Sequence, residues 1–377
     1  MSRRKLRVPR NTCRSLRHTK PWLITVLFVT LALIAGACGG DGDAGDAAAE
    51  TEAGTAGEPG AGATGGDEAG ETTPITVLLP NPSAVNVFSL CAANGEGYLA
   101  EEGIEMTMEA VDGSGAVLQA MAAGQAEIGL PGPGPVLNAR ARGEDVVMFF
   151  NSFAQSLFGL VVPDDSDIAS TADLAGTTVG VGTAEGAEVS FARSILAEDR
   201  LEEGTDYEFL PVGDGGPATA AFERGEIDAY SAAVSDMAII EARGLPLREI
   251  TPEEFLAFFG NGYATTAEYL EQNRDVVEGF TRALLRGYEW ALENKEATLA
   301  HCAELNPEEG ADAELASVLF DAITARAEPI GDTPVGVFPE EGWEQWHQSL
   351  LDAGELEAPV DDLHEAYTNE IVEAASQ

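Results

Sequence analysis

Met121-Ala122-Ala123-Gly124-Gln125-Ala126-Glu127-Ile128 and Phe222-Glu223-Arg224-Gly225-Glu226-Ile227-Asp228-Ala229 follow one plan. In each, a helical pattern stops at a glycine, Gln or Glu follows, then any residue, an acid, and an apolar run with strand character. Glycine accepts the left-handed backbone that ends a helix, so it is favoured just past the last turn. The same device recurs around both units: residues 98–103 lead into 104–110, 136–143 lead into 146–150, and 239–243 stop at Gly244. Helix, glycine, strand is the rhythm of βαβ units and a mainly parallel sheet. Two like units some hundred residues apart predict two α/β lobes of similar plan.

The lobes are bounded by composition. Residues 74–165 read as the first part of lobe I, and Val162-Pro163-Asp164-Asp165-Ser166-Asp167 as a polar crossover into lobe II at 166–255. From 256 to 377 the chain returns to lobe I and turns helical, with a long amphipathic helix over 274–294 and further helices over 313–327, 341–353 and 361–375. No strand run accompanies them, so this tail is expected to pack on lobe I.

The N-terminus carries an address. Arg3, Arg4, Lys5, Arg7, Arg10, Arg14, Arg17 and Lys20 precede a mostly apolar run over 22–35 that ends in small residues. Basic, apolar and small regions in that order form an export signal, and the run falls short of the ~20 residues that span a bilayer. Cys38, directly after Ala35-Gly36-Ala37, resembles the lipid-accepting cysteine of a bacterial lipobox, with Ala35 in place of the usual leucine. Residues 1–37 are therefore expected to be a lipoprotein signal peptide, and Cys38 a lipid anchor on the outer face of the cytoplasmic membrane. Residues 38–73 are Gly, Ala, Asp, Glu and Thr-rich without an aromatic residue. Such a segment buries too little apolar surface to offset its ordering entropy and reads as a self-repelling tether.

Removing residues 1–37 leaves 12 basic against 65 acidic residues, a formal charge of −53. Nucleic acid and anionic lipid need clustered Lys and Arg and are excluded as partners. Cys91 and Cys302 are the two remaining cysteines. In an exported chain they form either a bridge, which brings the tail back against the start, or two separate buried thiols. No Walker-type glycine loop, CxxC or HExxH occurs, and His301, His347 and His364 all lie in the tail. No catalytic residue, metal ligand or cofactor is therefore assigned.

Several segments in order carry a family resemblance. They are Ile75-Thr76-Val77-Leu78-Leu79-Pro80, Gly97-Tyr98-Leu99-Ala100-Glu101-Glu102-Gly103-Ile104, Gly113-Ser114-Gly115, residues 122–129, Gly132-Pro133, residues 170–181, residues 225–229 and residues 346–361. Together they resemble the solute-binding proteins of bacterial ABC importers for nitrate, alkanesulfonates, taurine and thiamine-precursor pyrimidines, over about residues 74 to 370. The resemblance implies a type II periplasmic-binding-protein fold, two lobes closing on a small ligand at a hinge, with a permease and its ATPase as partners and a monomeric state. The alternatives are a pyrimidine-precursor biosynthetic enzyme of the same fold, against which the lack of a Ser–His or Cys–His constellation among the cleft loops argues, or a solute sensor without transport. Two departures bear on the ligand. Leu79-Pro80-Asn81 stands where pyrimidine binders commonly carry a tryptophan, and Ala232-Ala233-Val234-Ser235-Asp236 where strand, Trp, Glu, Pro is frequent.

In open α/β sheets ligands sit beyond the carboxyl ends of the strands, against helix N-termini. The loops so placed nominate Asn81, Ser83, Asn86, Gly132, Pro133, Asn151, Ser152, Thr183, Glu185, Gly186, Tyr230 and Ser231 as ligand-binding residues. None of these loops contains Lys or Arg. Arg140, Arg142 and Arg193 are expected to stand away from the cleft, whereas Glu185 and Asp214 bring negative charge to it. The expected ligand is a small neutral or weakly charged organic molecule, heteroaromatic or sulfonate, with Phe149, Phe150, Phe153 and Tyr230 as candidates to stack on it.

Overall fold

A computed structural model describes residues 72–356 and 358–377. The basic segment, the apolar run, Cys38 and nearly all of the tether lie outside the described residues. Among the described residues, ten strands form two five-stranded sheets. β1 (Thr73–Leu79), β2 (Ile104–Ala110), β3 (Ile128–Gly129), β4 (Val147–Asn151) and β10 (Gly262–Thr265) form the first, in the order β2-β1-β3-β10-β4. β5 (Phe158–Pro163), β6 (Thr178–Val181), β7 (Glu208–Pro211), β8 (Ala229–Ala233) and β9 (Leu247–Glu249) form the second, in the order β7-β6-β8-β5-β9. In each sheet the first three strands are parallel and the fourth, β10 or β5, runs antiparallel to both neighbours.

The repeated sequence unit accounts for this likeness. The helix Gly113–Ala122 stops before Gly124, at φ +68°, and the helix Gly216–Arg224 stops at Gly225, at φ +66°. The chain then enters β3 and β8, which occupy the same place in the two sheets. The shared acid has a shared task. The Glu127 carboxylate accepts the Thr76 amide at 2.7 Å, and the Asp228 carboxylate accepts the Thr178 amide at 2.9 Å. Each fastens the incoming central strand to its parallel neighbour, β1 or β6.

Lobe II begins at Phe158 and not at residue 166, because β5 already belongs to the second sheet. A Pro-Asp run reads as a linker, but here it is a turn inside lobe II. The real crossing lies just before β5, where Leu157 and Phe158 are buried. The return before β10 runs beside it, with the Gly260 amide donating to the Phe153 carbonyl at 2.9 Å.

The helical tail does not confine itself to lobe I. The helix Arg274–Glu293 packs on the helix Phe88–Gly95, and Phe280 meets Phe149 at 6.3 Å and Tyr263 at 5.3 Å. The helix Ala313–Ala327, however, packs on Val234–Ala242 of lobe II, and Glu340–Asp352 touches both Pro133–Ala141 and Ala187–Glu198. Apolar faces on both lobes receive it. Trp346 lies 6.3 Å from Phe191 and 5.0 Å from Phe258, and its indole N–H donates to the Phe259 carbonyl at 3.0 Å. Cys91 and Cys302 are joined in a disulfide with Cα atoms 5.0 Å apart, which ties Phe88–Gly95 to Lys295–Leu305. Among the described residues, no helix is long and apolar enough to cross a membrane.

Candidate functional site

Between the lobes lies a closed cavity of about 40 Å³. Lobe I contributes Pro80, Asn81, Gly113, Ser114 and Asn261; the crossing contributes Leu157 and Phe158. Lobe II contributes Thr183, Ala187, Glu188, Asp214, Ala233 and Asp236. The placement follows from topology. Thr183 follows β6, Asp214 follows β7, and Glu188 and Asp236 sit in the first turns of the helices Ala187–Glu198 and Val234–Ala242.

The lobe II wall is acidic. The Glu188 carboxylate accepts the Thr183 amide at 3.0 Å, and that of Asp236 accepts the Ala233 amide at 3.3 Å. Gly182 lets two of the acids meet. A Cβ there would collide with the Asp214 carboxylate and stand 3.2 Å from a Glu188 oxygen. Burial, reinforced by the Asp214 charge, pushes the Glu188 carboxyl up to about 7, against the pull of its backbone hydrogen bonds. Burial and then Asp112 raise Asp214; burial and then Asp214 and Glu188 raise Asp236 well above the usual carboxylate range. An acid in low dielectric among other acids holds its proton more tightly.

The lobe I wall is neutral. Asn261 donates from Nδ2 to the Leu130 carbonyl at 3.1 Å, while its Oδ1 is buried without a partner. Thr183 Oγ1, on the facing wall, is likewise unpaired. Buried polar atoms are usually satisfied; these two stand unpaired among the residues that line the cavity. Phe158 supplies an aromatic surface, held 6.1 Å from Phe191.

Of the residues nominated by sequence, Asn81 and Thr183 line the cavity. Asn86 and Ser231 stand behind it. Asn86 donates to Asn81 Oδ1 at 3.3 Å, and Ser231 Oγ donates to the Glu188 carbonyl at 2.9 Å. The Gly132 amide donates to Ser114 Oγ at 3.1 Å, and Pro133 opens the helix behind it. Ser83 Oγ and the Ala84 and Val85 amides all donate to the Glu309 carboxylate, at 2.5, 2.8 and 3.0 Å. That loop is already filled by an internal anion. Asn151 is turned away to the Val337 carbonyl at 3.3 Å, and Ser152 Oγ is buried off the cavity without a partner. Tyr230 donates to the Gly213 carbonyl at 3.3 Å from inside the lobe II core. Phe149, Phe150 and Phe153 are core residues of lobe I. The aromatic side chain that lines the cavity is Phe158.

A larger groove of about 670 Å³ opens beside the cavity, bordered by Glu185 and Gly186. Arg142 and Arg193 line it, contrary to the expectation that both stand away from the cleft. Both charges are already spoken for. Arg142 pairs with Glu144 at 2.7 Å, and Arg193 with Glu203 at 2.7 Å and with Glu355. Glu355 also accepts from Asn138 at 3.1 Å in lobe I and from Ser190 at 2.9 Å in lobe II. With the Gly115 amide donating to the Glu185 carbonyl at 3.2 Å, it holds the lobes together at the mouth.

Two lobes with a cavity at their junction give the geometry for enclosing a small molecule. The family model described as NMT1/THI5 like matches residues 84–298, more than half of the chain. The chain belongs to this family. It is 28% identical over 308 residues to the formylaminopyrimidine-binding protein of Halalkalibacterium halodurans, covering 78% of this chain and 89% of that protein. It is 25% identical over 291 residues to the riboflavin-binding protein RibY of Chloroflexus aurantiacus, covering 75% and 82%. The alkanesulfonate-binding protein SsuA from Xanthomonas axonopodis pv. citri, solved bound to MOPS, shares the fold with a TM-score of 0.63 at 18% identity, covering 80% of this chain and 99% of that one. These named relatives are binding proteins. Sequence reasoning missed Glu188, Asp236, Ser114, Phe158 and Asn261. The available signal for Glu188 was its place in the first helical turn after Gly186, where a side chain folds back onto the preceding loop.

Proposed function

We propose that this NMT1/THI5-like chain is the extracytoplasmic, lipid-anchored receptor of an ABC importer, capturing a nitrogen heteroaromatic of aminopyrimidine type and delivering it to a permease. One observation carries the ligand reading: the cavity wall is rich in carboxyl and amide oxygens and has no Lys, Arg or His. Glu188, Asp214, Asp236 and Asn261 Oδ1 converge there, with Phe158 as an apolar face. Exocyclic amines and protonated ring nitrogens are donors and satisfy such a wall; a sulfonate or nitrate offers only acceptors and negative charge. The formylaminopyrimidine-binding relative points to the same class. In its closed state a cavity of about 40 Å³ holds only a few waters, so capture proceeds through lobe opening and re-closure. The export signal, the lipobox-like Cys38 and the acidic tether suit an anchored receptor with freedom to reach its permease.

Calorimetry of the purified protein against aminopyrimidines, flavin precursors, alkanesulfonates, taurine and nitrate tests the ligand reading. Micromolar or tighter binding of an aminopyrimidine is expected. Tight binding of nitrate or a sulfonate with no response to any heteroaromatic would overturn it.

A further inference from the structure

We infer, resting on that reading of the cleft, that the ligand enters as an organic cation and that Glu188, Asp214 and Asp236 together select it by charge. The three carboxyl groups come from three separate helix starts or loops of lobe II and face one cavity. Glu188 and Asp214 approach each other across Gly182, where any side chain would collide. From lobe I, Asp112 adds negative charge toward Asp214. Tyr230, a further titratable group near them, donates its hydroxyl to the Gly213 carbonyl at 3.3 Å from within lobe II. No Lys, Arg or His is among the residues lining the cavity.

The lobe I wall gives a second, independent indication. Asn261 is 3% exposed, its amide N–H is spent on Leu130, and its unpaired Oδ1 faces the same space. A cavity supplied with acceptors from both lobes and with no protein cation is balanced by a ligand that brings positive charge and several N–H donors. Burying like charges together is costly unless a counter-charge joins them. A cation in the cavity supplies it, so the closed state gains stability when that ligand is bound. Glu188, whose carboxyl is pushed up to about 7, then ionises, and its proton passes to solvent on binding.

A matched pair of probes tests charge selection separately from pyrimidine recognition. One is an aminomethyl-substituted aminopyrimidine, a cation at neutral pH; the other is the same molecule N-formylated on that amine and neutral. Titration calorimetry of the full mature chain at pH 6, in two buffers of different ionisation enthalpy, gives both affinities and the protons released. The free amine is expected to bind at least tenfold tighter, with net proton release. Glu188→Gln and Asp214→Asn should each bring the ratio between the probes toward one. Equal or tighter binding of the formylated probe by the parent protein would overturn charge selection and leave the pyrimidine reading intact. Binding of neither probe would overturn both.

Discussion

Glu127 and Asp228 perform the same task in the two lobes, whereas Asn81 and Glu188 do not. The acids of the repeated unit fasten equivalent strands, and the strand order around them is the same. At the facing strand ends the likeness stops. Lobe I presents Asn81, Ser114 and Asn261, all neutral; lobe II presents three carboxyls, of which Asp236 is buried, Glu188 half-buried and Asp214 open to solvent on one side. Lobe I is also bound by a disulfide, while no disulfide crosses lobe II among the described residues. The scaffold is duplicated and the chemistry is not. On the proposed reading, recognition by charge belongs to lobe II and rigidity to lobe I.

Breaking the disulfide should have the largest effect and should fall on lobe I. Closing a loop across 211 residues is worth about 2–5 kcal/mol. Cys91→Ala with Cys302→Ala is expected to lower stability by that order, and hydrogen exchange should rise first in Phe88–Gly95 and Lys295–Leu305. Faster exchange in lobe II instead would break the assignment of rigidity to lobe I.

The carboxyl wall should appear as a pH dependence of the unliganded protein. Glu188 titrates near 7 when folded against an ordinary 4.5, so between those values the native state binds more protons than the unfolded chain. Stability contributed by this group therefore falls as pH rises from about 5 to 7.5, by roughly 3 kcal/mol at most. Glu188→Gln should flatten that slope in denaturant melts and leave the protein at least as stable as the parent at pH 7.5. An unchanged slope would show that the wall is hydrated and its acids ordinary.

The two walls should also differ in binding. Losing a charged hydrogen-bonding partner costs about 1.5–3 kcal/mol and a neutral one about 1. Glu188→Ala is thus expected to weaken aminopyrimidine binding by about a hundredfold and Asn81→Ala by about tenfold, read by calorimetry. A reversed ranking would move the recognition centre to lobe I. The smallest effect sharpens the likeness. Glu127→Gln and Asp228→Asn should each cost about 1 kcal/mol of stability, with ligand affinity unchanged in both.

The plan of the fold was legible because local chemistry writes it: glycines 124 and 225 end helices wherever the chain must turn into a strand. The cleft was legible as far as Asn81 and Thr183, since strand ends can be located from apolar runs. Glu188 and Asp236 were not, because they are two of 65 acids and burial is decided by which lobe closes over them. Pro163-Asp164 misled for the same reason. A polar run looks alike between lobes and within one, and only the pairing of β5 with β8 and β9 distinguishes them. Trp346 gave no sign that its helix would touch both lobes.

The most direct test is a carbon-13 NMR titration of the side-chain carboxyl of Glu188, with and without a saturating aminopyrimidine. The account predicts a midpoint near 7 in the free protein and a carboxylate ionised throughout pH 5–8 in the complex. A midpoint near 4.5 in the free protein, or one near 7 that the ligand does not move, would contradict it.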